Sequence, residues 1–264
     1  MAKVTLKTLA DMKLSGEKFT SLTAYDSTFS NLASSNGVEV ILVGDSLGNV
    51  VQGQNSTVPV TVEDMCYHTR CVASAAGDAM VMADLPFASY ATEEQALMNA
   101  AQLMRAGAEI IKIEGEGWLP PIVTRLKQQG IPVCVHMGLT PQFVNVLGGY
   151  RVQGREEEKA NNMIRAAMDL QEAGAAMLLL ECVPADLARE ITKAVSIPVI
   201  GIGAGVDTDA QVLVVYDMLN LTAGRKPKFV KNYITDGETP QQAVANYVAE
   251  VKAGTFPAEE HIFQ

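Results

Sequence analysis

Eight short apolar runs, each separated from the next by a longer stretch of mixed composition, constrain the fold of this chain more than any other feature. Most of the runs are continuously hydrophobic, as expected for parallel strands that are buried on both faces. Between them lie helix-like segments such as Thr92–Ala106, Glu157–Ala173 and Pro184–Ala194. The eight candidate strands are Phe19–Ala24, Glu39–Val43, Ala79–Ala83, Glu109–Ile113, Pro132–Val135, Ala176–Leu180, Pro198–Ile202 and Leu213–Tyr216.

Residues at the helix ends support the same repeat. Thr92, with Gln95 three positions later, predicts a capping box at a helix start. Gly107 and Gly174 each lie just after a predicted helix and directly before a predicted strand, where glycine commonly ends a helix. Eight strand–helix units without a long linker predict one α/β domain over residues 1–264, a (β/α)₈ or TIM barrel. A doubly wound parallel sheet is the alternative architecture.

Two connections are longer than the usual loops between a strand and the following helix. They span residues 44–59 and 138–155 and follow the second and fifth predicted strands. Long loops in a compact domain commonly form lids or binding sites. Active sites of these barrels lie at the carboxyl ends of the strands, so we predict that both are active-site loops.

The charge balance of the chain restricts its partners. It has 30 acidic and 20 basic residues, a formal net charge of −10. An acidic surface repels nucleic acids and lacks the basic patches that peripheral membrane proteins use. The amino-terminal segment lacks the apolar core of a signal peptide, and no apolar run approaches the ~18 residues of a membrane span. We therefore expect a cytoplasmic protein that binds neither nucleic acids nor membranes.

Ionisable residues end five consecutive predicted strands, the second to the sixth. For any one of them, a helix cap or a solvated loop residue would be an ordinary explanation. In a barrel, however, these strand ends meet at one cavity, where poorly solvated carboxylates repel one another unless a cation compensates. Carboxylate oxygens suit Mg²⁺, so we predict a magnesium site. The residues are Asp45, Asp84, Lys112 with Glu114, His136 and Glu181.

Two of these positions allow more than one interpretation. Lys112 and Glu114 lie two apart on one strand, so both project to the same face. In one interpretation they form a structural ion pair inside the barrel. In the other, Lys112 is the cation for an anionic substrate, and Glu114 beside it is a metal ligand. His136 is either a satisfied core histidine or part of the site, and its position at a strand end makes it a candidate for the site.

The sequences around these strand ends are long and distinctive motifs. They are Val43-Gly44-Asp45-Ser46-Leu47-Gly48, Ala83-Asp84-Leu85-Pro86-Phe87, Lys112-Ile113-Glu114, His136-Met137-Gly138-Leu139-Thr140-Pro141-Gln142, Gly148-Gly149-Tyr150-Arg151-Val152-Gln153-Gly154-Arg155 and Leu180-Glu181-Cys182-Val183-Pro184. In this order they resemble the ketopantoate (3-methyl-2-oxobutanoate) hydroxymethyltransferase family. The resemblance extends over essentially the whole chain.

The resemblance implies a reaction of pantothenate biosynthesis, on the pathway to coenzyme A. A hydroxymethyl group would pass from 5,10-methylenetetrahydrofolate to 3-methyl-2-oxobutanoate, giving 2-dehydropantoate through an enolate that Mg²⁺ stabilises as a Lewis acid. It also implies a homo-oligomer, a decamer of two stacked five-membered rings.

The resemblance also implies roles for individual residues. Asp45, Asp84 and Glu114 would hold Mg²⁺, Glu114 through a water molecule. The oxoacid would contact Asp45, Ser46, Asp84 and Lys112, and Glu181 would be the base. His136 joins the substrate-binding candidates because of its position at the strand end.

Two alternatives belong to other functional classes. One is a Mg²⁺-dependent carbon–carbon lyase or mutase of the phosphoenolpyruvate mutase and isocitrate lyase type, whose members commonly carry a lid motif such as KKCGH. This sequence has no such motif. The other is a non-catalytic ligand-binding barrel, which the loss of a metal carboxylate or of the base would favour, and every one of these residues is present.

Overall fold

Eight parallel strands close into one barrel in sequence order, with β8 pairing back to β1. The computed structural model describes residues 2–224, 226–235 and 238–264. The closed order confirms the (β/α)₈ barrel, because a doubly wound sheet would have two open edges. The strands are β1 Phe19–Thr23, β2 Val40–Val43, β3 Met80–Asp84, β4 Ile110–Glu114, β5 Val133–Gly138, β6 Met177–Glu181, β7 Val199–Ile202 and β8 Ala210–Leu213.

Helices surround the barrel and continue into its loops. The helices are α1 Leu6–Ser15, α2 Ser27–Ser35, α3 Leu47–Val50, α4 Val62–Ala73, α5 Glu93–Ala106, α6 Pro120–Gln128, α7 Val144–Leu147, α8 Glu157–Ala173, α9 Ala185–Ala194, α10 Val215–Met218 and α11 Pro240–Lys252. Short 3₁₀ helices cover Pro141–Phe143 and Glu259–His261. Among the described residues, no helix is long and apolar enough to cross a membrane.

The predicted helix ends are largely confirmed. Gly107 and Gly174 end α5 and α8 in the left-handed conformation, with φ of 113° and 107°. Thr92 caps α5 by accepting a hydrogen bond from the Gln95 backbone N–H. The Gln95 side chain does not return this bond to Thr92, because its oxygen accepts from the N–H of Ala91 instead. The predicted capping box is therefore only half formed.

The eighth strand corrects the sequence-based prediction. We expected it at Leu213–Tyr216, but the strand is Ala210–Leu213, and the apolar residues that follow it form the short helix α10. The polar Gln211 made the true strand look like a loop. Its side chain is nevertheless buried, since its amide group donates to the Gly205 carbonyl and so remains hydrogen-bonded. A search for apolar runs therefore missed this strand, because it could not show that the Gln211 amide is buried and hydrogen-bonded.

The amino-terminal helix α1 covers the end of the barrel where the strands begin. Leu9 and Met12 are its buried residues. Lys13 Nζ lies 2.7 Å from Asp209 Oδ2, immediately before β8, and Lys3 donates to the carbonyl of Ala79, immediately before β3. The loops predicted as active-site loops lie at the other end, after β2 and β5, and contain α3 and α7. The end of the barrel that carries these two loops is therefore the end away from α1.

Strand register decides which side chains meet at that open end. Asp84 on β3 pairs with Lys112 on β4, and Glu114 pairs with His136 on β5. At the next pairing Glu181 on β6 lies opposite Gly138. Gly138 has φ of +87°, and a Cβ atom there would lie 2.5 Å from the Glu181 carbonyl oxygen. Glycine at this position therefore lets β5 approach Glu181 closely.

We expect Gly138→Ala to unfold at a lower temperature than Gly148→Ala, which is the matched control. Gly148 also has positive φ, but open space surrounds the position that its Cβ atom would take. Both variants carry the cost of a left-handed alanine, about 1–2 kcal/mol, while only Gly138→Ala adds an overpacking cost of about 1–3 kcal/mol. At about 2–4 °C per kcal/mol for a chain of this size, calorimetry should separate the two midpoints by roughly 2–12 °C. Equal midpoints would contradict the close-approach argument.

Candidate active site

The carboxyl ends of the strands surround a cavity of about 820 Å³. All the residues predicted from the strand ends line it, together with Ser46 from the loop after β2. The structure thus brings together side chains that are up to 136 positions apart in the sequence. They are Asp45, Ser46, Asp84, Lys112, Glu114, His136 and Glu181.

A buried ion pair lies at the centre of this group. Lys112 Nζ is 2.7 Å from Asp84 Oδ1 and 3.7 Å from Glu114 Oε1, and the Lys112 side chain is only 4% exposed. Burial by itself would lower the pKa of Lys112, but the charges of Asp84, Glu114 and Asp45 outweigh burial and raise it well above its usual value. Lys112 is therefore a cation. It forms an ion pair inside the barrel, as one interpretation predicted, and also faces the cavity, as the other required.

Asp45 and Asp84 form the acidic wall beside this lysine. The Asp45 backbone N–H donates to Asp84 Oδ2 over 3.0 Å. Burial raises the pKa of Asp45, and the charges of Asp84 and Glu114 raise it further. Burial also raises the pKa of Asp84, against the opposing charge of Lys112. The carboxylates in this wall are thus under-compensated when Lys112 is their main cation.

This wall has the character of a site for a hard cation. Among the described residues, no three histidine, cysteine or acidic side chains converge closely enough to hold a metal ion by themselves. Mg²⁺ does not need such a set, since it is commonly held by one or two carboxylates and keeps several waters. Asp84 Oδ1 is buried and, although it is beside Lys112, accepts no well-directed hydrogen bond. The oxygens of Asp45 and Asp84 therefore have the chemistry that a hard cation such as Mg²⁺ prefers, while Glu114 already faces Lys112 and His136.

His136 connects two carboxylates at the other side of the cavity. Its Nδ1 lies 3.3 Å from Glu114 Oε1, and its Nε2 lies 3.3 Å from Glu181 Oε2. Burial lowers the pKa of His136, but Glu114 and Glu181 together raise it to about 9. At neutral pH His136 is therefore protonated on both nitrogens. It is buried, as a core histidine would be, but it lies between site residues.

The two carboxylates that flank His136 differ in exposure. Burial opposes the ionisation of Glu114, but His136, Lys112 and a backbone N–H outweigh burial and lower its pKa. Its side chain is 1% exposed, whereas that of Glu181 is 14% exposed and faces the cavity. Glu114 is thus a fixed anion behind the site, and Glu181 is the carboxylate that a ligand can reach.

Ser46 is held at the edge of the acidic wall. Its hydroxyl lies 2.8 Å from the hydroxyl of Tyr25, which is fully buried. This contact fixes the Ser46 side chain next to Asp45 and leaves it oriented along the cavity wall. Ser46 is therefore a hydrogen-bonding group for a small polar ligand.

The sequence matches a known family over nearly its whole length. The model of the ketopantoate hydroxymethyltransferase family matches residues 3–259. The chain belongs to the ketopantoate hydroxymethyltransferase family. The resemblance inferred from the motifs is therefore confirmed, and with it the prediction of an enzyme that acts on small molecules.

Full-length relatives of the chain carry the corresponding enzyme name. A 3-methyl-2-oxobutanoate hydroxymethyltransferase of Marinobacter nauticus is 57% identical over 261 residues, which is 99% of each chain. The protein named 3-methyl-2-oxobutanoate hydroxymethyltransferase 2 of Pseudomonas fluorescens is 59% identical over 264 residues, which is 100% of this chain and 99% of the relative. These matches therefore span the segments of the chain that carry the strand-end motifs.

Solved structures with the same barrel have other activities. Phosphonopyruvate hydrolase in complex with oxalate and Mg⁺⁺ is 14% identical, with a TM-score of 0.62 and 81% of each chain covered. A 2,3-dimethylmalate lyase of the PEP mutase/isocitrate lyase superfamily is 16% identical, with a TM-score of 0.58 and 81% of each chain covered. At these identities the likeness shows the fold alone. The alternative lyase or mutase class thus shares the barrel, while the sequence belongs with the hydroxymethyltransferases.

The sequence reasoning did not single out Gln142, which braces the acidic wall from the loop 138–155. Its side-chain amide donates to Asp45 Oδ2 over 2.8 Å, and its backbone N–H donates to Glu114 Oε2 over 3.0 Å. Its amide oxygen accepts from the hydroxyl of Tyr90 over 2.6 Å. A glutamine just after a proline in a long loop gives no sign of burial, and only the family motif included it.

We expect Gln142→Leu to bind Mn²⁺ about 10- to 100-fold more weakly than the unaltered hydroxymethyltransferase, as is usual when a group that orients a metal ligand is lost. Leucine keeps the bulk but removes the amide that orients Asp45 and contacts Tyr90. Free Mn²⁺ in an electron paramagnetic resonance titration measures the affinity. Gln153→Leu is the matched control, because Gln153 lies in the same loop and its side chain donates only to a nearby carbonyl, that of Arg151. Equal affinities for both variants would rule out the bracing role.

Proposed function

We propose that this enzyme transfers a hydroxymethyl group from 5,10-methylenetetrahydrofolate to 3-methyl-2-oxobutanoate, forming 2-dehydropantoate for pantothenate and coenzyme A biosynthesis. The observation that carries the proposal is the position of Glu181, a cavity-facing carboxylate held by protonated His136. The same cavity is lined by a wall that combines Lys112 with Asp45 and Asp84. Residues 1–264 would act as one catalytic domain, with the loops 44–59 and 138–155 at the site.

Asp45 and Asp84 would hold Mg²⁺ directly, and Glu114 would hold it through water. The excess of buried carboxylates around Lys112 supports this assignment, because a divalent cation would supply the missing positive charge. A neighbour with the same fold, phosphonopyruvate hydrolase, was solved with oxalate and Mg⁺⁺. When bound, the ion would supply a Lewis acid for the negative charge that develops on the oxoacid.

The oxoacid would lie between the acidic wall and Glu181. The Lys112 ammonium would attract its negative charge, and the Ser46 hydroxyl, fixed by Tyr25, would donate a hydrogen bond to one of its oxygens. Asp45 and Asp84 would contact it across the same wall. This placement directs C3 of the oxoacid toward Glu181, the most accessible of the site carboxylates.

Glu181 would remove the proton from C3, and the electrons of that C–H bond would become an enolate. Lys112 would stabilise the developing negative charge at the oxygen, where a fixed cation in a dry cavity is most effective. Water would add to the methylene carbon of the folate, and breaking of the two C–N bonds would release tetrahydrofolate and formaldehyde beside the enolate. The enolate carbon would then attack the formaldehyde carbon, and the formaldehyde oxygen would take up a proton from Glu181 to become the hydroxyl of the product. Glu181 thus provides the base and Lys112 the electrostatic stabilisation.

His136 would act on Glu181 and, at a distance, on the oxoacid. Both of its ring nitrogens face carboxylates, so a direct contact with the oxoacid would require one of these contacts to break. Protonated His136 keeps the Glu181 side chain oriented toward the cavity. We therefore assign His136 as a positioning residue within the substrate site.

The enzyme would work in the cytoplasm as a homo-oligomer, with the decamer of the family as the expected state and without nucleic-acid or membrane partners. Several large apolar side chains on the outside of the barrel support self-association, since such residues commonly lie at subunit interfaces. Among them are Tyr67, Met98, Trp118 and Val146.

Glu181→Gln should exchange the C3 proton of 3-methyl-2-oxobutanoate with deuterated water about 10²–10⁴ times more slowly than the unaltered enzyme. Glutamine keeps the shape and removes the basic oxygen, so oxoacid affinity should change by only a few-fold. Proton NMR of the isopropyl methine signal measures the exchange in the presence of Mg²⁺. Glu190→Gln, an exposed position on α9, should exchange normally. Exchange at the unaltered rate in Glu181→Gln would exclude Glu181 as the base.

Asp84→Asn should remove the Mg²⁺ dependence of this exchange together with the exchange itself, because a direct metal ligand is lost. Glu114→Gln should weaken Mg²⁺ dependence less, since its contact would pass through water. The same NMR signal followed across a Mg²⁺ titration compares the variants, with Mn²⁺ binding as an independent measurement. Full exchange by the unaltered enzyme in excess EDTA would exclude the metal role.

A further inference from the structure

The cavity extends well beyond the oxoacid site. Cavities of roughly 300–1,000 Å³ accommodate drug-sized ligands, so a volume of about 820 Å³ leaves space beside a small branched oxoacid. The outer part is lined by the segment that follows β8 and by the carboxyl-terminal segment, neither of which contributes to the oxoacid site. Residues of this outer part include Val214, Asp217, Thr222, Phe229 and Phe263.

Asp217 is the acidic group in this outer wall and has no role in the steps described above. It lies on α10, is 9% exposed and lines the cavity. Burial raises the pKa of Asp217, while the Thr222 hydroxyl and the Lys226 ammonium lower it. A carboxylate this deeply buried beside a ligand cavity is costly unless donors face it. Asp217 therefore favours a ligand that carries hydrogen-bond donors.

The surface around Asp217 is suited to a flat ring. Phe229 is buried, and the segment carrying it is attached to the carboxyl-terminal segment through Lys228. The Lys228 ammonium donates to the carbonyl of Ile262 over 2.7 Å and lies 5.6 Å from the centre of the Phe263 ring. Two segments distant in sequence thus form one partly aromatic wall beside a single carboxylate.

Asp217 also lies close to the oxoacid half of the cavity. Burial raises the pKa of Tyr25, and the negative charges of Asp217 and Asp84 raise it further. The residue before Asp217, Tyr216, packs against Tyr25 with ring centroids 5.7 Å apart, and Tyr25 contacts Ser46. A ligand held at Asp217 would lie next to the oxoacid, whereas the oxoacid itself, as an anion, would be repelled by Asp217.

We propose, on the basis of the function proposed above, that Asp217 anchors the pterin ring of the reduced folate in the outer half of the cavity. The pterin presents two adjacent donors, N3–H and the 2-amino group, and a carboxylate accepts such a pair through two parallel hydrogen bonds. The apolar wall with Phe229 covers the ring. This arrangement leaves the methylene carbon of the folate facing the enolate formed at Glu181.

The test is direct binding of tetrahydrofolate, measured by titration calorimetry without oxoacid. Asp217→Asn places an amide where an acceptor pair is needed, so affinity should fall about 10- to 100-fold, the usual effect of losing hydrogen bonds to a charged group. A 2-desamino analogue of tetrahydrofolate should bind the unaltered enzyme more weakly than tetrahydrofolate. Asp217→Asn should lose most of this preference, since the 2-amino group no longer has its partner.

Two control variants separate recognition from loop structure. Asn232→Ala removes two hydrogen bonds within the segment after β8 and changes no residue of the cavity wall, so tetrahydrofolate affinity should stay within about threefold of the unaltered value. Asp169→Asn makes the same chemical change at an exposed position in α8, and it should bind tetrahydrofolate normally. An equal loss in Asn232→Ala and Asp217→Asn, or no loss in Asp217→Asn, would overturn the proposal. Equal binding of tetrahydrofolate and its 2-desamino analogue by the unaltered enzyme would also overturn the proposal. This comparison does not depend on whether Asp217→Asn folds.

Exchange of the oxoacid C3 proton, measured without folate, reports on the inner half of the cavity separately. We expect the exchange to persist in Asp217→Asn. If the unaltered enzyme binds tetrahydrofolate through Asp217 but catalyses no exchange, the catalytic steps proposed above are wrong while the pterin site stands. If exchange is normal and Asp217→Asn binds tetrahydrofolate as well as the unaltered enzyme does, the pterin site is wrong while the catalytic steps stand.

Discussion

The Lys112–Asp84 ion pair spans two neighbouring strands at the open end of the barrel, and the rest of the site is arranged around it. Removing two charges from water is costly, and only a close contact with further polar partners offsets that cost. The barrel supplies these partners by register, because Asp84 and Lys112 lie opposite each other and Glu114 follows on the same strand as Lys112. The charge of Lys112 thereby lowers the free-energy cost of burying several carboxylates inside the barrel, but it does not neutralise all of them.

The carboxylates of the site also differ in their contacts with cations and in their exposure. His136 holds Glu114 and Glu181 at its two nitrogens, so it forms a bridge from the buried interior to the accessible edge of the site. The buried acids face cations, whereas Glu181 at the end of β6 has one side open to the cavity. Two carboxylates with the same chemistry therefore take different roles because of their surroundings, which is how proteins commonly separate acid, base and ligand functions.

Much of this organisation could be predicted from the sequence, because it depends on local patterns. Buried parallel strands are apolar on both faces, and the residue that ends each strand must lie near the cavity. The prediction was wrong at the eighth strand, where Gln211 is buried with its amide hydrogen-bonded and the apolar residues after it form a helix. Gln142, Tyr90 and Asp217 were also not singled out. The contacts of Gln142 and Tyr90 join segments far apart in the chain, and Asp217 reaches the cavity from a short helix that was expected to be a strand.

The helix α1 has a consequence for how the molecule tolerates change. Through Lys13 and Lys3 the amino-terminal segment is attached to the residues just before β8 and β3, at the end of the barrel opposite the cavity. Substitutions in this segment would change the stability of the barrel and not its contacts with ligands. Substitutions in the loops 44–59 and 138–155 would instead change the walls of the cavity. Thermal robustness and substrate preference are thus separable traits in this chain, and each can vary at its own end of the barrel.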